Sequence, residues 1–167
     1  ANTADSIINE IGKRVGAFKV GLQLFSAAGP QYVRQLADRG IKVFLDLKFH
    51  DIPNTVAKAA VEASKLGVWM MNVHASGGRE MMVRTVQDVG EYCERSGIEK
   101  PMMIAVTVLT SSNQETLSET GVQSGVEEQV GNLARLAAVC NMDGVVASAR
   151  EVGVIRREVP NPSFLTV

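Results

Sequence analysis

Two side chains of opposite charge interrupt an apolar run that has the length of a β-strand. The run extends from Ile41 to Phe49, and side chains alternate between the two faces of a strand. One face therefore carries Lys42, Phe44, Asp46 and Lys48. Because a parallel sheet covered by helices is apolar on both faces, the charges need an explanation. An aspartate beside a lysine indicates acid–base or electrostatic chemistry, with a structural ion pair as the alternative.

Further polar side chains are predicted at the same edge of the sheet. Lys19 lies in the short strand Phe18–Gly21 and points away from its apolar neighbours. Asn72 and His74 share one face of a later strand, and Trp69 is assigned to the opposite face. The carboxyl ends of parallel strands form one edge, where barrel enzymes build their active sites. The alternatives are a surface lysine with a buried stem for Lys19 and a satisfied core histidine for His74.

The charged strand continues into a dense polar segment. Residues 46–55 read Asp-Leu-Lys-Phe-His-Asp-Ile-Pro-Asn-Thr, which contains the pattern D-x-K-x-x-D. Pro53 suits the first position of a helix. Asp51 just before it is either a functional carboxylate or an anion at a helix N-terminus, and Thr55 is otherwise a surface residue of the first turn.

Helix and strand patterns alternate along the whole chain. Ser124 with Glu127 and Ser148 with Glu151 predict two capping boxes at helix starts. Residues 111–123 predict a loop with a short helical turn. The predicted strands are Phe18–Gly21, Ile41–Phe49, Val68–Ala75, Met102–Thr110, Gly144–Ala147 and Phe164–Val167. This alternation indicates βαβ units and a parallel sheet.

About six strand–helix units fit in the 167 residues. We therefore predict an α/β fold: a (β/α)8 TIM barrel with the first strand and the last unit missing, and one partial domain over residues 1–167. A complete barrel typically needs about 250 residues, so we expect a central fragment. An open doubly wound sheet is the alternative, but the sequence has no G-x-G-x-x-G after a strand.

Composition excludes several classes of protein. Seventeen basic and eighteen acidic residues give a net charge of −1, which argues against a nucleic-acid partner or an anionic membrane. No apolar run reaches the roughly 20 residues of a membrane span. Cys93 and Cys140 lack C-x-x-C spacing and are predicted to be buried free thiols. We expect a cytoplasmic protein in a reducing compartment.

Residues 46–55 closely resemble the signature of the orotidine 5'-monophosphate decarboxylase family, in its bacterial branch. The resemblance continues through Lys19–Gly21, Asn72–Gly78 and Val106–Ser111 and covers almost the whole chain. It implies a homodimeric (β/α)8 barrel that converts orotidine 5'-monophosphate to UMP in de novo pyrimidine biosynthesis. It also implies that no metal and no organic cofactor take part.

The same resemblance assigns site residues. Lys48 would protonate C6 of the pyrimidine, and Lys19 would also hold a ribose hydroxyl. Asp51 and Thr55 would reach the site of the partner subunit, and Thr110 would lie near the pyrimidine. The family's catalytic tetrad corresponds to Lys19, Asp46, Lys48 and Asp51. The family's first-strand acid and its two phosphate-binding segments have no counterpart in these residues and are predicted to lie outside the chain.

Three other functions compete with this interpretation. Mg²⁺-dependent sugar-phosphate lyases, of the 3-keto-L-gulonate 6-phosphate decarboxylase type, share the pattern D-x-K-x-x-D. In those enzymes the acidic residues of the pattern help to bind the metal ion. The Ile-Pro-Asn-Thr continuation and Lys19 with its Val-Gly neighbours favour the pyrimidine enzyme instead. The remaining alternatives are a non-catalytic nucleotide-binding barrel and an oligomer-forming structural domain. Retention of both Asp46 and Lys48 argues against a barrel that has lost its chemistry.

Overall fold

The computed structural model describes residues 2–12 and 14–167, and within them the strands form one six-stranded sheet. Every neighbouring pair is parallel, and the strands follow one another in chain order. The strands are β1 (Phe18–Gly21), β2 (Val43–Phe49), β3 (Met70–His74), β4 (Met102–Val106), β5 (Gly144–Val146) and β6 (Leu165–Thr166).

Helices connect the strands. Two 3-10 turns, Ala75–Gly77 and Ala149–Glu151, precede α4 and α7. The helices are α1 (Asn2–Ile11), α2 (Leu22–Asp38), α3 (Pro53–Ser64), α4 (Gly78–Ser96), α5 (Gln114–Glu119), α6 (Val126–Val139) and α7 (Val152–Glu158). Short α5 lies in the segment predicted as a loop with a helical turn.

The strand order confirms the predicted fold class. A doubly wound sheet reverses its strand order at a switch point, whereas a (β/α)8 barrel places its strands in simple succession. The observed order β1-β2-β3-β4-β5-β6 is sequential throughout. The chain therefore forms an α/β partial barrel, and the doubly wound alternative is wrong.

The two faces of the sheet bury different residues. The face covered by helices holds the main core, in which Leu45, Met71 and Val145 are fully buried. The opposite face, which we call the inner face, carries a second cluster of Phe44, Met70 and Ile104. We call these three residues the inner apolar cluster. The alternation predicted for β2 is thus observed, with Leu45 outward and Phe44 inward.

Trp69 corrects the sequence analysis. Its ring packs against the inner apolar cluster, not on the helix-covered face, and the ammonium of Lys42 lies 5.5 Å from the ring centroid. The physical reason is that β3 begins at Met70. Trp69 precedes the regular strand, so the alternation that places the later residues does not extend to it.

Helix starts were predicted with mixed success. Pro30 begins the second segment of α2, as expected, because Gly29 has a left-handed φ of 75° and interrupts the helix. The first segment, from Leu22, was not predicted. The capping box at Ser148 is confirmed, whereas that at Ser124 is wrong. Gly125 is the N-cap of α6, and the Ser124 hydroxyl bonds to the Gln129 side chain instead.

Both cysteines are buried free thiols, which confirms their prediction. Cys93 lies on α4 and Cys140 follows α6 directly. Burial raises the pKa of the Cys140 thiol, which keeps it protonated and unreactive near neutral pH. Over the residues that the structure describes, no helix combines the length and apolar character needed to cross a bilayer.

Candidate active site

Three charged side chains meet at the carboxyl ends of β1 and β2. The carboxylate of Asp46 lies between two ammonium groups: Oδ2 is 3.1 Å from Nζ of Lys19, and Oδ1 is 2.6 Å from Nζ of Lys48. We call Lys19, Asp46 and Lys48 the ion cluster. The cluster exists because β1 and β2 are paired in register, with Gly21 opposite Asp46. Sequence patterns predicted this convergence on one sheet edge.

Asp46 is the buried member of the cluster. Its side chain is 10% exposed, compared with 34% for Lys48 and 56% for Lys19. Burial acts to raise the pKa of Asp46, but hydrogen bonds from Lys48, Asn72 and Lys19 together outweigh it. The pKa of Asp46 therefore lies below its ordinary value of 3.8, and the carboxylate is ionised near neutral pH.

The backbone at Lys48 departs from regular strand geometry. Its φ is 54°, in the left-handed region that β-strand residues rarely adopt. The β2–β3 register also shifts between Leu45 and Phe49. The Lys48 N–H is satisfied by a side chain, donating to Oδ1 of Asn72 at 2.8 Å. From this distorted backbone the lysine ammonium contacts Asp46, two residues earlier.

An open cleft of about 650 Å³ lies over the ion cluster. Leu22 and Gln23, at the start of α2, form part of its wall and were not identified from the sequence. The only signal was their position directly after a strand end. Gly21 also lies here, and a Cβ at this position would come within 3.1 Å of the Lys19 ammonium. The lining residues are Lys19, Gly21, Leu22, Gln23, Leu24, Asp46, Leu47, Lys48 and His74.

His74 lines the same cleft from the end of β3. Its ring lies 5.3 Å from that of His50, centroid to centroid, at an interplanar angle of 37°. Burial lowers the pKa of His74 below 6.5, and electrostatic interactions with the neighbouring His50 and Lys48 lower it further. The imidazole is therefore neutral at physiological pH. His74 thus lines the cleft, whereas the sequence analysis also allowed a histidine buried in the core.

Other predicted site residues lie outside the ion cluster. Asp51 is exposed, and its Oδ1 accepts a hydrogen bond from the Ile52 N–H at 2.6 Å. Thr55 is exposed on the first turn of α3, and Thr110 is exposed in the turn after β4. The structure thus brings together three of the four predicted catalytic residues. Asp51, Thr55 and Thr110 face solvent within this single chain.

The acidic residues of the D-x-K-x-x-D pattern are not gathered into one site. Asp46 is held by two lysines and an asparagine, whereas Asp51 bonds to backbone. Across residues 2–12 and 14–167, no group of three or more His, Cys, Asp or Glu side chains is arranged to hold a metal ion. What the cluster offers chemically is a pair of ammonium groups fixed by one carboxylate, beside an open cleft.

Known proteins are similar to this chain in sequence. The sequence model of the orotidine 5'-phosphate decarboxylase / HUMPS family matches residues 2–167. An orotidine 5'-phosphate decarboxylase of Syntrophotalea carbinolica is 56% identical over 155 residues, which are 93% of this chain and 64% of that protein. One from Geobacter sulfurreducens is 55% identical over 157 residues, 94% of this chain and 64% of that protein. The chain thus spans 64% of the length of these relatives.

Solved structures are also similar to this chain. A crystal structure of an uncharacterized conserved protein from Geobacillus kaustophilus superposes with a TM-score of 0.89 at 37% identity, covering 97% of this chain and 75% of that one. An orotidine 5'-phosphate decarboxylase from Lactobacillus acidophilus gives a TM-score of 0.84 at 36% identity, over 97% and 74% of the two chains. At these identities the likeness extends beyond the fold to the sequence.

Proposed function

The chain belongs to the orotidine 5'-phosphate decarboxylase / HUMPS family, and from this premise we propose that the protein decarboxylates orotidine 5'-monophosphate to UMP. The observation that carries the proposal is the ion cluster. Its Asp46 carboxylate is 2.6 Å from the Lys48 ammonium and 3.1 Å from that of Lys19, at the edge of the cleft. Relatives that bear the decarboxylase name are 46–56% identical to the chain.

The proposed reaction depends mainly on stabilising the negative charge that develops at C6, and it needs no nucleophile that bonds to the substrate. Loss of CO2 from C6 leaves an electron pair in the plane of the pyrimidine ring, which cannot delocalise efficiently into the π system. A fixed ammonium near C6 stabilises that charge in a site with little water. Lys48 is the group assigned to this position, and it then transfers a proton to C6 as general acid.

Asp46 has two parts in the proposal. It orients both ammonium groups in the free enzyme and offsets part of their charge, and it lies near the substrate carboxylate before CO2 leaves. The low pKa of Asp46 supports both parts, because the group stays charged under working conditions. Repulsion between the two carboxylates is relieved as CO2 departs. Lys19, the more exposed ammonium, is free to reach a ribose hydroxyl as well.

In the proposed enzyme, Asp51 and Thr55 of one subunit complete the active site of the other subunit. Both are exposed and lie apart from the ion cluster of their own chain. This exposure supports a homodimer in which each subunit supplies them to its partner's site. Thr110, exposed after β4, is assigned to the pyrimidine. The assembly then contains the full tetrad of Lys19, Asp46, Lys48 and Asp51 at each site.

We also propose that the reaction proceeds without metal or organic cofactor, in the cytoplasm. Both oxygens of the Asp46 carboxylate are paired with lysine ammonium groups. This pairing supports a carboxylate that positions the two lysines and does not bind a metal ion. Two buried free thiols suit a reducing compartment.

The direct experiment measures decarboxylation of orotidine 5'-monophosphate by the full-length gene product in excess EDTA. We expect turnover that survives the chelator. Activity on a sugar phosphate that requires Mg²⁺, with none on the nucleotide, would overturn the proposal in favour of the lyase. A folded protein that is silent on both substrates would overturn it in favour of a non-catalytic barrel.

A mixing experiment tests the assignment of Asp51 to the partner's site. Asp51→Ala and Lys48→Ala homodimers are each expected to be inactive. After subunit exchange, half of the dimers are mixed, and each has one site with both native residues. About one quarter of wild-type activity should therefore return. No recovery, with exchange verified by mass spectrometry, would place Asp51 in the site of its own chain.

A further inference from the structure

Asn72 occupies the distorted part of the β2–β3 pairing. Leu45 lies opposite Met71 and Phe49 lies opposite Val73, so β2 advances four positions while β3 advances two. The N–H of Lys48 therefore lacks its regular strand partner. Asn72 lies at the middle of this interval on β3, and its side chain is 0% exposed. A buried amide at a ladder irregularity must be satisfied by what surrounds it.

The two ends of the Asn72 amide have different partners. Oδ1 accepts from the backbone N–H of Lys48 at 2.8 Å, and Nδ2 donates to Oδ1 of Asp46 at 2.6 Å. The orientation of the amide is determined by chemistry, because a carboxylate only accepts and an N–H only donates. One buried side chain thus fixes a catalytic carboxylate and the backbone of the lysine assigned as proton donor.

The backbone contact is the more unusual of the two. Lys48 has a φ of 54°, which a non-glycine residue keeps only when its surroundings hold it there. From that conformation the Lys48 ammonium makes its 2.6 Å contact with Oδ1 of Asp46. Without the Asn72 acceptor, the Lys48 N–H would lose its hydrogen bond. The backbone that sets the position of the Lys48 ammonium beside Asp46 would then lose its anchor.

We propose that Asn72 is a positioning residue, which holds the left-handed turn at Lys48 and the orientation of the Asp46 carboxylate at the same time. This inference rests on the proposed function, because the benefit of positioning is measured there as turnover. Asn72 is 0% exposed and is not among the residues that line the cleft, so the proposal gives it no contact with the substrate. Its effect is to keep two reacting groups in one geometry before substrate arrives, and misplacement by about 1 Å costs on the order of 10²-fold in rate.

The central variant is Asn72→Asp in the full-length protein. It preserves shape and the acceptor for Lys48, but it replaces the donor to Asp46 with a second carboxylate. We expect kcat to fall by about 10²-fold, with a smaller change in KM. Asn72→Ser, which is small, neutral and too short to span both partners, should show the same kcat-dominated loss and decides the question if the aspartate variant does not fold.

Thr85→Val is the matched control. Thr85 is also 0% exposed, and its hydroxyl donates to the Met81 carbonyl at 2.6 Å within α4. The variant removes a buried hydrogen bond of the same length without touching the site. It should lower stability as the Asn72 variants do and leave kcat unchanged. Equal loss of kcat in the control, or near-native kcat in both Asn72 variants, would overturn the proposal.

A second readout does not depend on turnover. Carbon-detected NMR titration of Asp46 should show a raised pKa in Asn72→Ser, because a hydrogen bond to the charged form is lost. The titratable groups that face Asp46 are Lys19 on β1, Lys48 on β2 and His74 on β3, and none of them is substituted in this variant. The Lys48 amide should also exchange faster with solvent. An unchanged titration and unchanged exchange would overturn the positioning role, whereas a wild-type protein inactive on orotidine 5'-monophosphate would overturn only the proposed function.

Discussion

The inner face of the sheet carries two clusters with opposite physical character. In the inner apolar cluster, Ile104 is fully buried and Phe44 is 9% exposed, and the residues exclude water by packing. In the ion cluster, a buried carboxylate is bracketed by two lysines that remain partly exposed. Desolvating charges offsets most of what their attraction contributes. The first cluster therefore supports stability, and the second is the one to which we assign chemistry, although both include residues of β2.

The strongest test of this division removes the ammonium nearest Asp46. Lys48→Ala should lower kcat by about 10²–10⁴-fold, the usual contribution of a positioned general acid, while the melting temperature changes little. Lys42→Ala is the matched control, because Lys42 is an exposed lysine directly before the amino end of β2, at the opposite end of the strand from the ion cluster. Steady-state kinetics and thermal unfolding of the full-length variants check this. Near-normal turnover of Lys48→Ala would remove Lys48 from the reaction.

The converse test truncates one side chain of the inner apolar cluster. Ile104→Ala should lower the free energy of unfolding by about 2–5 kcal/mol, since it leaves a cavity among packed side chains. The fraction that stays folded should keep a near-native kcat. Urea unfolding combined with active-site titration separates these quantities. A large loss of kcat per folded molecule would show that the two clusters are not independent.

The smallest expected effect concerns pH. Burial, and after it electrostatic interactions with His50 and Lys48, lowers the pKa of His74 below 6.5. The folded state therefore binds fewer protons than the unfolded state as the pH falls from 6.5 through the lowered value. The free energy of unfolding should decrease in that window. His74→Asn should show a flatter dependence when the two are compared by urea unfolding at about pH 8 and about pH 5. Parallel curves would contradict the assignment.

Strand periodicity was sufficient to place Lys19, Asp46 and Lys48 on one sheet edge, because parallel strands in sequence bring their carboxyl ends together. It was not sufficient for the turn at Lys48. That conformation depends on Asn72, 24 residues further along the chain, and on a register shift visible only once the strands are paired.

The misplaced features share a cause of the same kind. Ser124 and Glu127 have the spacing of a capping box, but the helix begins at Val126 and its N-cap is Gly125. The spacing alone therefore did not locate the start of the helix. Trp69 was assigned by alternation one residue outside the strand. The arrangement of Asp51 within the proposed dimer involves a second chain, and no local pattern in one sequence encodes that geometry.

The sequential strand order has a consequence for synthesis on the ribosome. Each strand from β2 onward pairs with the strand made just before it, so its hydrogen-bonding partner has already emerged when it appears. The ion cluster follows the same schedule: β1 and β2 supply its three residues, and β3 adds the Asn72 side chain. Such nearest-neighbour pairing shortens the loops that folding must close. The ion cluster and Asn72 are thus synthesised before β4, β5 and β6, and these later strands extend a sheet whose charged edge is already defined.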